Sequence, residues 1–203
     1  MDTSVFNPDY QNQHLESRIV VALERISEAF RVLLWYESKV TGLSPIQIQI
    51  MIFLYFHEAG RRKVSYLAQE FNMTKPTISD AIKVLEQKQL IYKETESEDS
   101  RSYIIHLTDK GIKVAQKTVL FANGMQHPFA QMTTEQKEIL WRSLLELIYK
   151  LQQAGIIQLQ RMCFTCRFYG KAQEGHDHFC NLLRIPLYTA NLRIDCPEHS
   201  PVG

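Results

Sequence analysis

Five hydrophobic positions, Ile19, Leu23, Ile26, Phe30 and Leu33, recur at alternating steps of four and three between His14 and Val40. That spacing places them on one stripe of a long helix and suits packing against a second helix. Thr41-Gly42-Leu43 breaks the pattern, and Ser44-Pro45 restarts it with a good N-cap followed by proline in the first turn. From Ile46 to His57 the chain is apolar nearly all round, which predicts a buried helix ended by Gly60.

The pattern then shortens. Ser65 to Phe71 reads as a brief helix with Leu67, Ala68 and Phe71 inward, Asn72-Met73 as a turn, and Thr74 as the cap of a further helix. On that helix Ile78, Ala81, Ile82 and Leu85 follow the i, i+3, i+4, i+7 rule and are expected to face the core. Pro76, Ser79, Asp80, Lys83 and Gln87 then point outward, with Thr77 on the flank. A small, polar, partly basic face of this kind suits a major groove about 12 Å wide.

Leu90 to Thr95 and Tyr103 to Thr108 are β-branched and aromatic enough for strands, and the residues Glu96-Ser97-Glu98-Asp99-Ser100-Arg101 form a polar hairpin tip between them. Thr108 caps a helix predicted to run to about Gln126, stopped by His127-Pro128. Thr133 and Gln136 have capping-box spacing. The helix they open carries Ile139, Leu140, Leu144, Leu147, Ile148 and Leu151 and is expected to continue towards Gln160, with Gly155 weakening its last turns by about 1 kcal/mol relative to alanine. The order of two short helices at a tight turn, a hairpin and a new helix is that of a winged helix-turn-helix. The fold expected is mainly α with a small β-hairpin wing, flanked by long N- and C-terminal helices. Those helices either form intramolecular core or serve as a dimer interface, which a two-fold DNA reader needs to set two recognition helices about 34 Å apart.

Composition adds little to this picture until it is read locally. Over 203 residues, 45% hydrophobic and 22% charged, the balance is that of a globular protein, and the formal net charge is only +1. Between Arg61 and Lys93, however, seven basic residues stand against three acidic ones, a local excess that would attract phosphate. With no signal peptide and no apolar run long enough for a bilayer, a cytoplasmic protein without a membrane partner is expected. No Ser/His/Asp set, phosphate loop or paired-carboxylate signature stands out, so an enzyme is not expected.

The segment resembles the MarR family of bacterial winged-helix regulators. The resemblance is carried by Leu67-Ala68, Thr74-Lys75-Pro76-Thr77-Ile78-Ser79, Leu85-Glu86 and Leu90-Ile91. It continues with Asp99-Ser100-Arg101 in the wing and Leu107-Thr108-Asp109-Lys110-Gly111 after it. It implies a homodimer built from the terminal helices. It further implies a recognition helix in which Lys75, Pro76, Thr77, Ser79, Asp80 and Lys83 meet the major groove, and a wing whose Arg101 reaches the minor groove. An arginine on a narrow hairpin suits the negative potential of a narrowed minor groove, whereas Asp99 is expected to order the tip. Two positions depart from the family pattern: Gln89 stands where glycine usually follows the recognition helix, and Lys93 where arginine commonly opens the wing.

Past this region the chemistry changes. The first 162 residues hold no cysteine; then Cys163, Cys166, Cys180 and Cys196 follow in the pattern C-x2-C-x13-C-x15-C. Two cysteines separated by two residues bring both sulfurs within reach of one ion, and two more complete a tetrahedral thiolate set that favours zinc. Gly170, Gly175, Pro186 and Pro197 suggest a loop-rich module that needs a metal in place of a core. An iron–sulfur cluster, a thiol redox switch or four unrelated thiols are the alternatives, and His176, His178 or His199 could replace one cysteine. The chain is thus divided into a DNA-binding and dimerisation domain over 1–160 and a metal-binding tail over 161–203. The function expected is a homodimeric transcriptional regulator of double-stranded DNA, more a repressor than an activator, open to a small-molecule or redox effector. The rivals are a winged-helix protein-interaction scaffold and an iron–sulfur or thiol redox-sensing regulator.

Overall fold

The computed structural model describes residues 3–95, 102–158, 160–173 and 176–202. Helix α1 (Pro8–Gln13), which the hydrophobic pattern does not announce, is started by the Asn7 side chain accepting from the Asp9 amide and by Pro8 in the first turn. It leads into α2 (Leu15–Thr41), closed by Gly42 at φ +64°. The central helix α3 (Pro45–Phe56) begins with a complete capping box between Ser44 and Gln47 and buries Ile48, Ile50, Met51, Phe53 and Leu54, as its all-round apolar character predicts. It ends at Phe56 rather than at Gly60, which lies in a separate 3-10 turn, Ala59–Arg61.

Around α3 pack α4 (Val64–Glu70), α5 (Lys75–Gln87), the antiparallel hairpin β1 (Ile91–Thr95) and β2 (Tyr103–Leu107), and α6 (Asp109–Thr118). Ile91 pairs with Leu107 and Thr95 with Tyr103. The Ile105 amide also donates to the Arg62 carbonyl (2.9 Å), tying the wing to the turn after α3. One continuous core joins Ile48, Met51, Leu67, Ile78, Ile82, Leu85, Leu90 and Ile105. The chain is thus mainly helical with a small β-hairpin. No single helix among the described residues is long and apolar enough to cross a membrane.

Three helices end in the same way. After α4, α5 and α7 (Thr134–Gln153) the residues Asn72, Gln89 and Gly155 take φ of +49°, +57° and +71°. The next amides, of Met73, Leu90 and Ile156, donate back to the carbonyls of Ala68, Leu85 and Leu151 at 2.9–3.0 Å. This is the Schellman closure. The left-handed turn expected after the recognition helix is therefore present although Gln89 occupies it. Gly155 does not weaken a continuing helix but ends one, so α7 stops at Gln153, short of Gln160. Helix α6 likewise stops at Thr118 instead of Gln126, and a 3-10 run, Asn123–Gln131, carries the chain through His127-Pro128 to the capping box of α7.

The tail is more ordered than a loop-rich module. Strands β3 (Tyr169–Gln173), β4 (His176–Cys180) and β5 (Ile185–Leu187) form an antiparallel sheet. Its small core, Met162, Leu187 and Leu192, is completed by Leu145, Trp141, Ile148 and Tyr149 of α7. The stripe read along α7 is accordingly divided: Ile148 packs on the tail, whereas Ile139 is half exposed.

Candidate nucleic-acid interface and cysteine tail

Helix α5 presents the face its sequence predicts. Ile78, Ala81, Ile82 and Leu85 are buried, and Lys75, Pro76, Thr77, Ser79, Asp80, Lys83 and Gln87 are exposed. Its start is fixed by Thr74, whose hydroxyl accepts from the Thr77 amide (3.3 Å) and lies 2.8 Å from the Thr77 hydroxyl. Asp99 and Arg101 lie outside the described residues.

The basic surplus is less uniform than the sequence suggests. Arg62 donates to the His57 carbonyl (2.6 Å), Arg61 to the Pro197 carbonyl (2.6 Å) and Lys88 to the Gly42 carbonyl (2.8 Å). Lys93 binds Glu86 of the recognition helix at 2.6 Å and sits 5.0 Å from the Tyr103 ring centre. Where a phosphate contact is expected of it, Lys93 thus braces the wing against α5. Lys75 and Lys83 are the basic residues on the outward face of α5 itself.

The wing is seated on α6 by a close approach at Gly111. Thr108 caps α6 by accepting from the Gly111 amide (3.0 Å), and its own amide donates to the Leu90 carbonyl (3.0 Å). A Cβ on Gly111 would overlap the Leu90 carbonyl oxygen and come within 3.0 Å of its carbon. The glycine of the Leu-Thr-x-x-Gly sequence is therefore required by helix–strand contact.

The four cysteines of the tail are free thiols. Cys163 opens a 3-10 turn, Cys163–Thr165, whose close brings the Cys166 amide onto the Cys163 carbonyl (3.0 Å). The Arg193 amide donates to Cys163 Sγ (3.2 Å), and the Arg193 guanidinium lies 3.6 Å from Cys196 Sγ. Cys163, Cys180 and Cys196 line one cavity of about 300 Å³. Burial pushes the Cys163 thiol up, and Cys166 and Cys180 are close enough to add to the effect. Among the described residues, no group of three or more His, Cys, Asp or Glu side chains is arranged to hold a metal ion. Of the candidate histidines, His178 is engaged by the Tyr169 hydroxyl (2.6 Å) and His199 by Thr165 (3.0 Å), while the side chain of His176 lies outside the described set.

One cluster is not visible in the sequence pattern. Arg161, 6% exposed, reaches across the boundary between tail and reading head. Both of its terminal nitrogens bind the Glu70 carboxylate of α4, one of them also donates to the Tyr66 hydroxyl (3.1 Å), and Nε donates to Asp195 (2.5 Å). His57, at the end of α3, lies between the Phe53 carbonyl (2.9 Å) and Asp195 (3.0 Å). The His57 bond, and then Arg161, hold the Asp195 carboxyl well below the ordinary carboxylate range. Burial by itself would lower the Arg161 pKa, but its hydrogen bonds to Asp195 and Glu70 outweigh that and raise it. Neither Arg161 nor its partners have periodic spacing, and only the position of Asp195 beside a cysteine could have drawn notice.

The helix order, the hairpin and the polar outward face of α5 define a winged helix-turn-helix fold. Residues 41–102 match the model of the MarR family. The structure is similar to that of Staphylococcus aureus MepR in complex with DNA, at 26% identity and a TM-score of 0.57, covering 65% of this chain and 96% of that one. It is also similar to MepR in its DNA-binding conformation (24%, TM-score 0.59, 66% and 98%). A MarR transcriptional regulator from Methanosarcina mazei Go1 shares the fold as well (19%, TM-score 0.58, 67% and 97%). About a third of this chain thus has no counterpart in these structures. No curated protein sequence matches the chain significantly.

Proposed function

We propose that the protein is a sequence-specific DNA-binding transcriptional regulator. It acts as a homodimer on a palindromic site, in the sense of a repressor, and carries a zinc-type site formed by Cys163, Cys166, Cys180 and Cys196. The observation that carries this reading is the recognition helix α5, with a hydrophobic face fully committed to the core and a polar face with Lys75 and Lys83 left outward, in a fold shared with a DNA-bound relative. Lys75, Pro76, Thr77, Ser79, Asp80 and Lys83 are the residues assigned to the major groove, and Arg101 of the wing, ordered by Asp99, is assigned to the minor groove.

The dimer is supported by α2, which buries only Ser17 and leaves Ile19, Val20, Ile26, Phe30 and Trp35 each more than two-fifths exposed, a stripe a second copy would cover. The zinc reading rests on the C-x2-C-x13-C-x15-C spacing and on the small size of the tail's core. The cysteines would then be thiolates holding the tail's turns together. A bound effector at the junction of helices and reading head would act on the same DNA-binding equilibrium.

Selection of sites from a random duplex library tests the reading. It should return a palindrome, bound with an affinity that falls steeply with salt. Lys83→Ala should weaken binding to all sequences and reduce the salt slope by about one. A library that yields no enriched site, with salt-insensitive binding of a protein partner, would support a scaffold instead. Elemental analysis decides the tail: zinc in a colourless protein agrees with the proposal, and iron with sulfide in a brown one refutes it.

A further inference from the structure

We infer that the cavity between α4, the end of α7 and the tail is a binding site for a neutral purine nucleoside, whose presence ties the first helix of the reading head to the other two walls. Binding there requires neither a metal nor DNA.

The cavity has a volume of about 530 Å³, within the range of about 300–1,000 Å³ usual for small-molecule sites. Five glutamines line it: Gln69 from α4, Gln152 and Gln153 from α7, and Gln158 and Gln160 from the segment that leads into the tail. Gln153 donates to the Gln152 side chain (2.8 Å). Gln158 and Gln160 enter other hydrogen bonds through their backbone, the Gln158 N–H donating to the Asn72 side chain (3.0 Å) and the Gln160 carbonyl accepting from Thr165 (2.7 Å). Their side-chain amides are thereby left to the cavity. Tyr149 and Phe164 add ring surface to its lining and are set edge to face with centres 5.8 Å apart. Phe164 is also held by Tyr169, at 5.3 Å.

This lining selects the chemistry of the occupant. Among the described residues no Asp, Glu, Lys or Arg lines the cavity, so nothing there compensates the desolvation of a carboxylate or phosphate. A side-chain amide offers donors and an acceptor side by side, and glutamine can meet N6 and N7 of adenine with both at once. Aromatic rings accept the flat face of any base. An uncharged purine therefore uses rings and amides together, and its ribose hydroxyls suit the remaining glutamines. The walls are set before a ligand arrives. Arg161, next in sequence to Gln160, is gripped by Glu70 and Tyr66 of α4, and the Thr165 hydroxyl is bonded to His199 (3.0 Å). Neither tie involves a cysteine side chain. Helix α4 has seven residues and buries only Leu67 and Ala68, so a ligand that spans Gln69 and the α7 glutamines adds materially to what holds it.

The test is isothermal titration calorimetry of the full chain with adenosine and with guanosine. At least one of them should bind saturably, one molecule per chain, and should slow hydrogen exchange in α4. Gln69→Ala and Gln160→Ala change side chains outside the buried core and should each weaken binding by about threefold to tenfold, the loss of one hydrogen bond. Gln13→Ala, at an exposed position of α1 away from the lining, should leave it unchanged. Adenosine 5′-monophosphate should bind no more tightly than adenosine, for want of a cation to pair with it. The inference is overturned if neither nucleoside binds saturably, or if both cavity variants bind as the wild type does. Tighter binding of the monophosphate, or binding of glucose in place of both nucleosides, overturns the assignment of a neutral purine. None of these outcomes bears on the DNA or zinc readings, which the duplex library and elemental analysis test separately.

Discussion

Replacing Gln89 by glycine should make this protein more stable. Gln89 follows α5 at φ +57°, with its own amide on the Glu86 carbonyl (2.8 Å) and the Leu90 amide on the Leu85 carbonyl (3.0 Å). A side chain in that left-handed conformation costs about 1–2 kcal/mol, a penalty glycine does not carry. Against this, glycine gives the unfolded chain more freedom, worth about 0.4–1 kcal/mol. The Gln89 side chain is exposed, so its removal forfeits no burial. The net gain expected is about 0.5–1 kcal/mol, or ~1–4 °C in Tm for a chain of this size. Equilibrium urea unfolding at one fixed protein concentration measures it, with an unchanged m value marking a true gain in stability. Gln89→Ala is the control: it keeps the strain and should stay within about 0.5 kcal/mol of the wild type. If Gln89→Gly is no more stable than the wild type, or if alanine gains as much as glycine, the reasoning from backbone strain is refuted.

Three further outcomes are expected. Gly111→Ala should destabilise by about 2 kcal/mol or more, since overpacking against the Leu90 carbonyl costs about 1–3 kcal/mol and threatens the Thr108 bond to the same oxygen; urea unfolding reads this directly. Thr74→Ala removes the cap of α5 and should cost about 1 kcal/mol, visible in the same assay. Leu145→Ala, at a fully buried position shared by α7 and the tail, should cost about 2–5 kcal/mol, and hydrogen exchange should show lost protection in β5.

What the sequence by itself determined is what a few neighbouring residues can decide. The inward set Ile78, Ala81, Ile82 and Leu85 follows from a 3.6-residue period, and all four are buried. The caps at Ser44, Thr74, Thr108 and Thr133 each join groups three residues apart, and all are formed. The helix ends were less legible, because Gly155 inside a helix and Gly155 closing one look alike until the backbone angle is known. Only the tertiary structure decided what long-range pairing settles. Lys93 turned from phosphate to Glu86, α7 gave one side to a sheet that its own period does not announce, and Arg161 found Glu70 and Asp195 at separations of 91 and 34 residues. Such contacts require distant segments to meet first, and no local pattern of polarity encodes which distant segment arrives. The reading head was therefore open to inference from sequence, whereas its link to the cysteine tail had to be seen in the fold.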